Sequence, residues 1–139
     1  MSPARHRIVN PEELGAPKGY SNGILTEPGC RLLFVAGQVG WDAHQRIVSH
    51  DFTDQFARAL DNVLAVVRKA GGLPEHVVRV TLYVRKKDPY MESLSGVAKA
   101  WRERMGRHFP AMTLVEVADL LEPGALVEIE ATAALPPES

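Results

Sequence analysis

FPAMTLVEVADLLEPGALVEIEATA, residues 109–133, is the stretch on which the fold reading turns. It divides into two β-prone runs joined by a Pro-Gly turn at Pro123-Gly124. Side chains alternate along a strand, so Thr113, Val115 and Val117 face one way in the first run, and Met112, Leu114 and Glu116 face the other. In the second run Val127, Ile129 and Ala131 make an apolar row, opposed by Glu128, Glu130 and Thr132. Grouping the polar rows puts three carboxylates on one face together with Met112 and Leu114. A merely solvated face has little use for a thioether and a leucine, so this face is expected to meet another surface.

Outward from that stretch, strands are expected over 5–10, 21–26 and 31–37, the last two forming a hairpin around Glu27-Pro28-Gly29-Cys30. Phe56, Ala59, Leu60, Val63 and Val67 recur at helical spacing and predict a helix over 54–70, capped by Asp51 or Thr53 and stopped by Gly71-Gly72. A strand follows over 77–85. Asp88-Pro89 then opens a second helix ending near Met105, with Leu94, Val97, Ala98, Trp101 and Met105 on its stripe. Two amphipathic helices cover one face of a mixed five- to six-stranded sheet, which leaves the other face for solvent or a neighbouring subunit. The fold class is α+β.

The chain has 139 residues, 45% apolar and 24% charged, with a net charge of -1, and is expected to form a single domain over 1–139. That charge gives no general electrostatic reason to bind nucleic acid or an anionic membrane. The lone Cys30 excludes an internal disulfide, and the five histidines show no metal-ligand spacing. No signal-peptide core or membrane-length apolar run is visible, so a cytoplasmic setting is expected.

Several pieces in unbroken order resemble the RidA family, also called YjgF/YER057c/UK114: Gly19-Tyr20-Ser21, LLFVAGQVGWD (32–42), FARALDNVLAVVRKAGG (56–72), HVVRVTLYV (76–84), FPAMTLVEV (109–117) and GALVEIEATA (124–133). The resemblance implies a chorismate-mutase-like fold assembled as a homotrimer, with clefts between subunits. It also implies hydrolysis of reactive enamines and imines, released by pyridoxal-phosphate enzymes, to a 2-oxo acid and ammonia, without metal or organic cofactor.

Carried over by position, the family tyrosine falls on Tyr20, the glycine lining the cleft on Gly37, and the water-activating carboxylate on Glu128. The family's substrate-clamping arginine is Met112 here, and Leu114 stands where many members have cysteine. Trp41, just past the Gly37-Gln38 turn, is a further candidate for the pocket wall. Losing one partner of a desolvated ion pair costs about 3–5 kcal/mol, and a thioether offers only dispersion in exchange. Weak or no activity on 2-iminobutanoate is therefore expected, with a more apolar or aromatic substrate in its place. Arg104, Arg107 and His108 are candidate replacement cations. The competing readings are a non-catalytic small-molecule binder and, less favoured by the near-neutral charge, an endoribonuclease or translation inhibitor.

Overall fold

The computed structural model describes residues 5–138. Six strands and three α-helices follow in chain order: β1 (Arg7–Val9), β2 (Gly23–Leu25), β3 (Arg31–Val39), α1 (Phe52–Lys69), β4 (Val77–Val84), α2 (Lys87–Glu92), α3 (Leu94–Met105), β5 (Ala111–Glu116) and β6 (Val127–Leu135). The main sheet has four strands in the order β3-β6-β4-β5, and β1 with β2 makes a separate two-stranded ribbon. β4 and β5 run parallel while the other pairs are antiparallel. A parallel pair needs a crossover, and α2 with α3 supplies it.

α1 forms where its stripe demands. Phe56, Ala59, Leu60, Val63 and Val67 are all buried, joined by Phe52 and Leu64. The Asp51 side chain caps it by accepting a 3.0 Å hydrogen bond from the Asp54 N–H. α1 lies on β3 and β6, and α3 packs along α1. The α1–α3 approach is close enough that a Cβ on Gly96 would stand 2.8 Å from Thr53 Oγ1, so any larger residue there would displace the Thr53 side chain. Because α3 leans on α1, a cleft remains between α3 and the edge strand β5.

Four expectations are corrected. β2 pairs with β1 and not with β3, because the nine-residue β3 finds its ladder on the equally long β6. One five- to six-stranded sheet is therefore replaced by four strands plus the ribbon. The second helix is interrupted at Ser93, whose hydroxyl donates to the Pro89 carbonyl at 2.7 Å. Its N-cap position is Lys86, not Asp88.

The fourth correction matters most. β5 and β6 are not neighbours, since β4 lies between them. Leu114 is level with Leu82, and Leu82 with Ile129. Met112 and Leu114 therefore share the helix-covered face with Val127, Ile129 and Ala131, and Leu126 also packs on this core. Alternation fixes sides within a strand, but the relative phase of two strands depends on register through the strand between them.

The face away from the helices carries Glu128, Glu130, Thr132, Tyr83 and Thr113, with Leu32, Phe34 and Val115 exposed among them. Phe34 is 75% and Leu32 58% exposed. An unpaired apolar surface thus exists on the carboxylate face, built from different residues than the sequence indicated.

Candidate functional site

The residues singled out from sequence fall into two groups on opposite faces of the sheet. On the helix side, Tyr20, Met112 and Leu114 line the cleft between α3 and β5, which has a volume of about 640 Å³. Phe109, Trp101 and Leu94 complete much of its apolar wall. Ser21 holds Tyr20 there: its N–H donates to the Pro110 carbonyl at 3.1 Å and its hydroxyl to the Phe109 carbonyl at 2.5 Å. These bonds tie the loop to the start of β5 through a parallel bridge at Ala111. Trp101 is buried, and its indole N–H donates to the His108 carbonyl at 3.1 Å, so it is both core and cleft wall.

On the opposite face, β3 bulges between Val35 and Gln38, where Gly37 sits. The Glu128 carboxylate lies directly over it. A Cβ added at Gly37 would come within 2.1 Å of Glu128 Oε2 and 2.8 Å of its Cδ. The position holds only a hydrogen. Tyr83 is the cross-strand partner of Glu128, and its hydroxyl donates to Glu130 Oε1 at 2.5 Å. That hydrogen bond, together with burial and the charges of Glu130 and Glu128, pushes the Tyr83 phenol above its ordinary range and keeps it a donor. The sequence reading passed over Tyr83, although its alternation with Leu82 and Val84 already placed it off the core face.

The expectation that Glu128 stands beside Met112 and Leu114 is thus not met within one chain. Trp41 lines neither group. Its carbonyl accepts from the Asn62 amide at 2.9 Å, which, with a 3.0 Å bond to the Val39 carbonyl, pins the exit from β3 to α1. Gln55 does the same for the entry to β6. It is fully buried, donates to the Ser49 and Gly124 carbonyls at 2.8 and 3.0 Å, and accepts from the Leu126 N–H at 2.8 Å.

The three expected replacement cations are placed elsewhere. Arg104 is paired with Asp61 at 2.7 Å, His108 is bonded to the Val77 carbonyl at 2.6 Å, and Arg107 is exposed away from the cleft. The cations that do line the cleft are Lys18 and Arg102. Burial and the Glu27 charge push the Cys30 thiol up, which disfavours the thiolate a nucleophile needs. Among the described residues no three His, Cys, Asp or Glu side chains group as metal ligands, and no helix is long and apolar enough to cross a membrane.

Known proteins resemble this chain over most of its length. A RutC family protein of Pyrococcus horikoshii is 34% identical over 128 residues, covering 91% of this chain and 95% of its own. The 2-iminobutanoate/2-iminopropanoate deaminase of Salmonella typhimurium is 29% identical over 102 residues, covering 73% of this chain and 78% of its own. The crystal structure of a conserved Rid family protein of unknown function from Yersinia pestis superposes with a TM-score of 0.83 at 34% identity, covering 94% of this chain and 98% of that one. Residues 11–135 match the family described as Endoribonuclease L-PSP. The chain therefore belongs to that family, the RidA (YjgF/YER057c/UK114) group whose motifs its sequence carries.

Proposed function

We propose that this protein is a cofactor-free hydrolase of reactive imines or enamines, acting on small apolar or aromatic intermediates at a site completed between the chains of a homotrimer. The observation that carries the reading is the Glu128 carboxylate held over Gly37 on the open sheet face that also exposes Phe34. The Tyr20–Met112–Leu114 cleft lies on the other face, so one chain cannot bring both groups to one substrate. Two neighbouring copies can, if the open face of one meets the cleft edge of the next. The name of the Salmonella relative supports the reaction class.

In this mechanism Glu128 takes a proton from water as its oxygen adds to the C=N carbon, and delivers a proton to the nitrogen. The carbinolamine then collapses: Glu128 relays the hydroxyl proton to the nitrogen, the C–N bond breaks, ammonia leaves and the freed oxygen electron pair closes the carbonyl. The electrophile is already activated, so positioning of water and a proton carrier suffices, with general base catalysis contributing about 10²–10⁴-fold. Tyr20 and the Gly37 backbone position the substrate. Met112 supplies a soft apolar wall in place of a cation, which disfavours 2-iminobutanoate and suits a larger tail.

Ammonia release from imines generated in situ by an amino-acid oxidase tests the proposal. Glu128→Ala is expected to lower the catalysed rate about 10²–10⁴-fold toward that of spontaneous hydrolysis, and unchanged turnover removes Glu128 from the mechanism. Met112→Arg is expected to add hydrolysis of 2-iminobutanoate. A second reading, a binding protein without turnover, is favoured by the apolar lining of the cleft. It is supported if every imine tried is bound and none is hydrolysed.

A further inference from the structure

The cleft between α3 and β5 has an uneven lining. Buried Phe56, Leu82 and Trp101 and half-buried Phe109, Met112 and Leu114 make its apolar walls, and its two charged members are the exposed cations Lys18 and Arg102. No acidic residue lines it. Among the described residues neither cation forms an ion pair or a side-chain hydrogen bond, whereas the neighbouring Glu103 is shared between Lys99 and Arg104. The helix geometry explains the placement. Leu94, Ala98, Trp101 and Arg102 fall on one side of α3 at i, i+4, i+7 and i+8, so the apolar stripe ends in a cation at the cleft rim. Lys18 reaches the same cleft from the loop that Ser21 anchors to β5.

We infer that this cleft binds a monocarboxylate with an apolar, preferably aromatic, tail: Arg102 and Lys18 hold the carboxylate at the rim and Met112 lies against the tail. The inference rests on the reading of the cleft as the substrate side of the site. It moves the anion clamp from the strand, where Met112 stands, to the helix and the loop. The cleft volume falls within the range of about 300–1,000 Å³ common for small-molecule sites, enough for an aromatic acid of amino-acid size. Arginine offers a planar pair of donors to a carboxylate, and a fringe of two unpaired cations over an aromatic wall selects against neutral analogues of the same shape.

The test is isothermal titration calorimetry of the full-length protein with phenylacetate and with phenylacetamide, which share shape and differ in charge. Phenylacetate is expected to bind about tenfold more tightly, the size of a charge-assisted contact discounted for its exposed rim. Arg102→Gln/Lys18→Gln is expected to bring the two affinities together. Ala98→Trp, a bulky side chain on an exposed helix position of the cleft, is expected to remove binding of both.

Equal affinity of acid and amide in the parent protein, absence of binding at millimolar ligand, or survival of the acid preference in either variant overturns the inference. Binding requires no turnover, so Glu128→Ala is expected to keep the acid preference. A protein that holds phenylacetate in this way yet hydrolyses no imine sinks the proposed reaction and leaves the clamp standing.

Discussion

Gly37→Ala separates the place of the Glu128 carboxylate from its charge. The added methyl carbon would stand 2.1 Å from Oε2, 2.8 Å from Cδ and 3.0 Å from Cγ. To restore ordinary van der Waals distance the carboxylate must retreat by about 1 Å or more. It is the free end of a flexible side chain, so the fold gives way cheaply: an off-rotamer carboxylate costs about 0.5–1.5 kcal/mol. Replacing a strand glycine by alanine returns roughly 0.5–1 kcal/mol of that. Stability should therefore stay within about 1 kcal/mol, a few degrees in Tm. A reacting group misplaced by about 1 Å loses on the order of 10²-fold in rate. The expected outcome is a folded variant with kcat/KM for imine hydrolysis down about 100-fold and little change in ligand affinity. Adding Gly37→Ala to Glu128→Ala should then cost nothing further, because both act through one carboxylate. The reasoning is refuted if the folded single variant works within about threefold of the parent, or if the two changes multiply.

Other perturbations probe the rest of the molecule. Phe34→Glu puts a charge on the open sheet face in place of an exposed ring whose burial in the proposed trimer would contribute roughly 1.5–3 kcal/mol; if this face is the interface, the variant should sediment as a smaller species than the parent with loss of turnover, and an unshifted sedimentation coefficient rules the face out. Gln55→Leu leaves the Ser49 and Gly124 carbonyls and the Leu126 N–H without their partner. It should cost about 3–5 kcal/mol in denaturant unfolding, against the fraction of a kcal/mol expected for a surface glutamine.

His76 is fully buried, with Nδ1 accepting from the Leu73 N–H at 2.9 Å and Nε2 without a partner among the described residues. Burial holds its pKa below 6.5, helped by His6 and His108 and opposed by Glu75 and Glu27. Below pH 6.5 the unfolded chain takes up a proton that the folded one refuses, so the stability His76 contributes is present above that pH and declines as pH falls. Tm should drop between about pH 7.5 and 5.5 and the slope should flatten in His76→Gln; parallel slopes would exclude His76 as the source.

How much of this was legible in the sequence differs by level. The helix stripes were, because an amphipathic period of 3.6 is a local property that tertiary packing only completes; Phe56, Leu60, Val63 and Trp101 are buried as their spacing requires. The alternation within each strand was also legible, and Val127, Ile129 and Ala131 do face the core. Strand pairing was not. Glu27-Pro28-Gly29-Cys30 looks like a hairpin turn, yet β3 runs to β6, about a hundred residues away, where a longer ladder is available. The phase of Met112 against Glu128 was equally hidden, since β4 sits between their strands and no local signal fixes a register transmitted through a third strand. Gly37 and Glu128 were named from the motif alone, but the reason glycine stands there is a contact across the β3 bulge that composition does not encode. Arg102 was overlooked because a cation near a helix end reads as solvated unless the cleft beside it is known.

The corrected register changes what the methionine at position 112 can affect. Had Met112 shared a face with Glu128 within one chain, the residue at 112 would have bordered the carboxylate itself. The two residues lie on opposite sides of the sheet instead, and the carboxylate's surroundings are Gly37, Tyr83 and Glu130. A substitution at 112 reshapes the cleft wall made by β5, α3 and the Tyr20 loop, and leaves the seat of Glu128 as it is. On the proposed reading, recognition and proton transfer are carried by different strands and brought together only by a neighbouring chain. A change at 112 then alters recognition without moving the Glu128 carboxylate from its place over Gly37, so on that reading the methionine argues for a changed substrate ahead of a lost reaction.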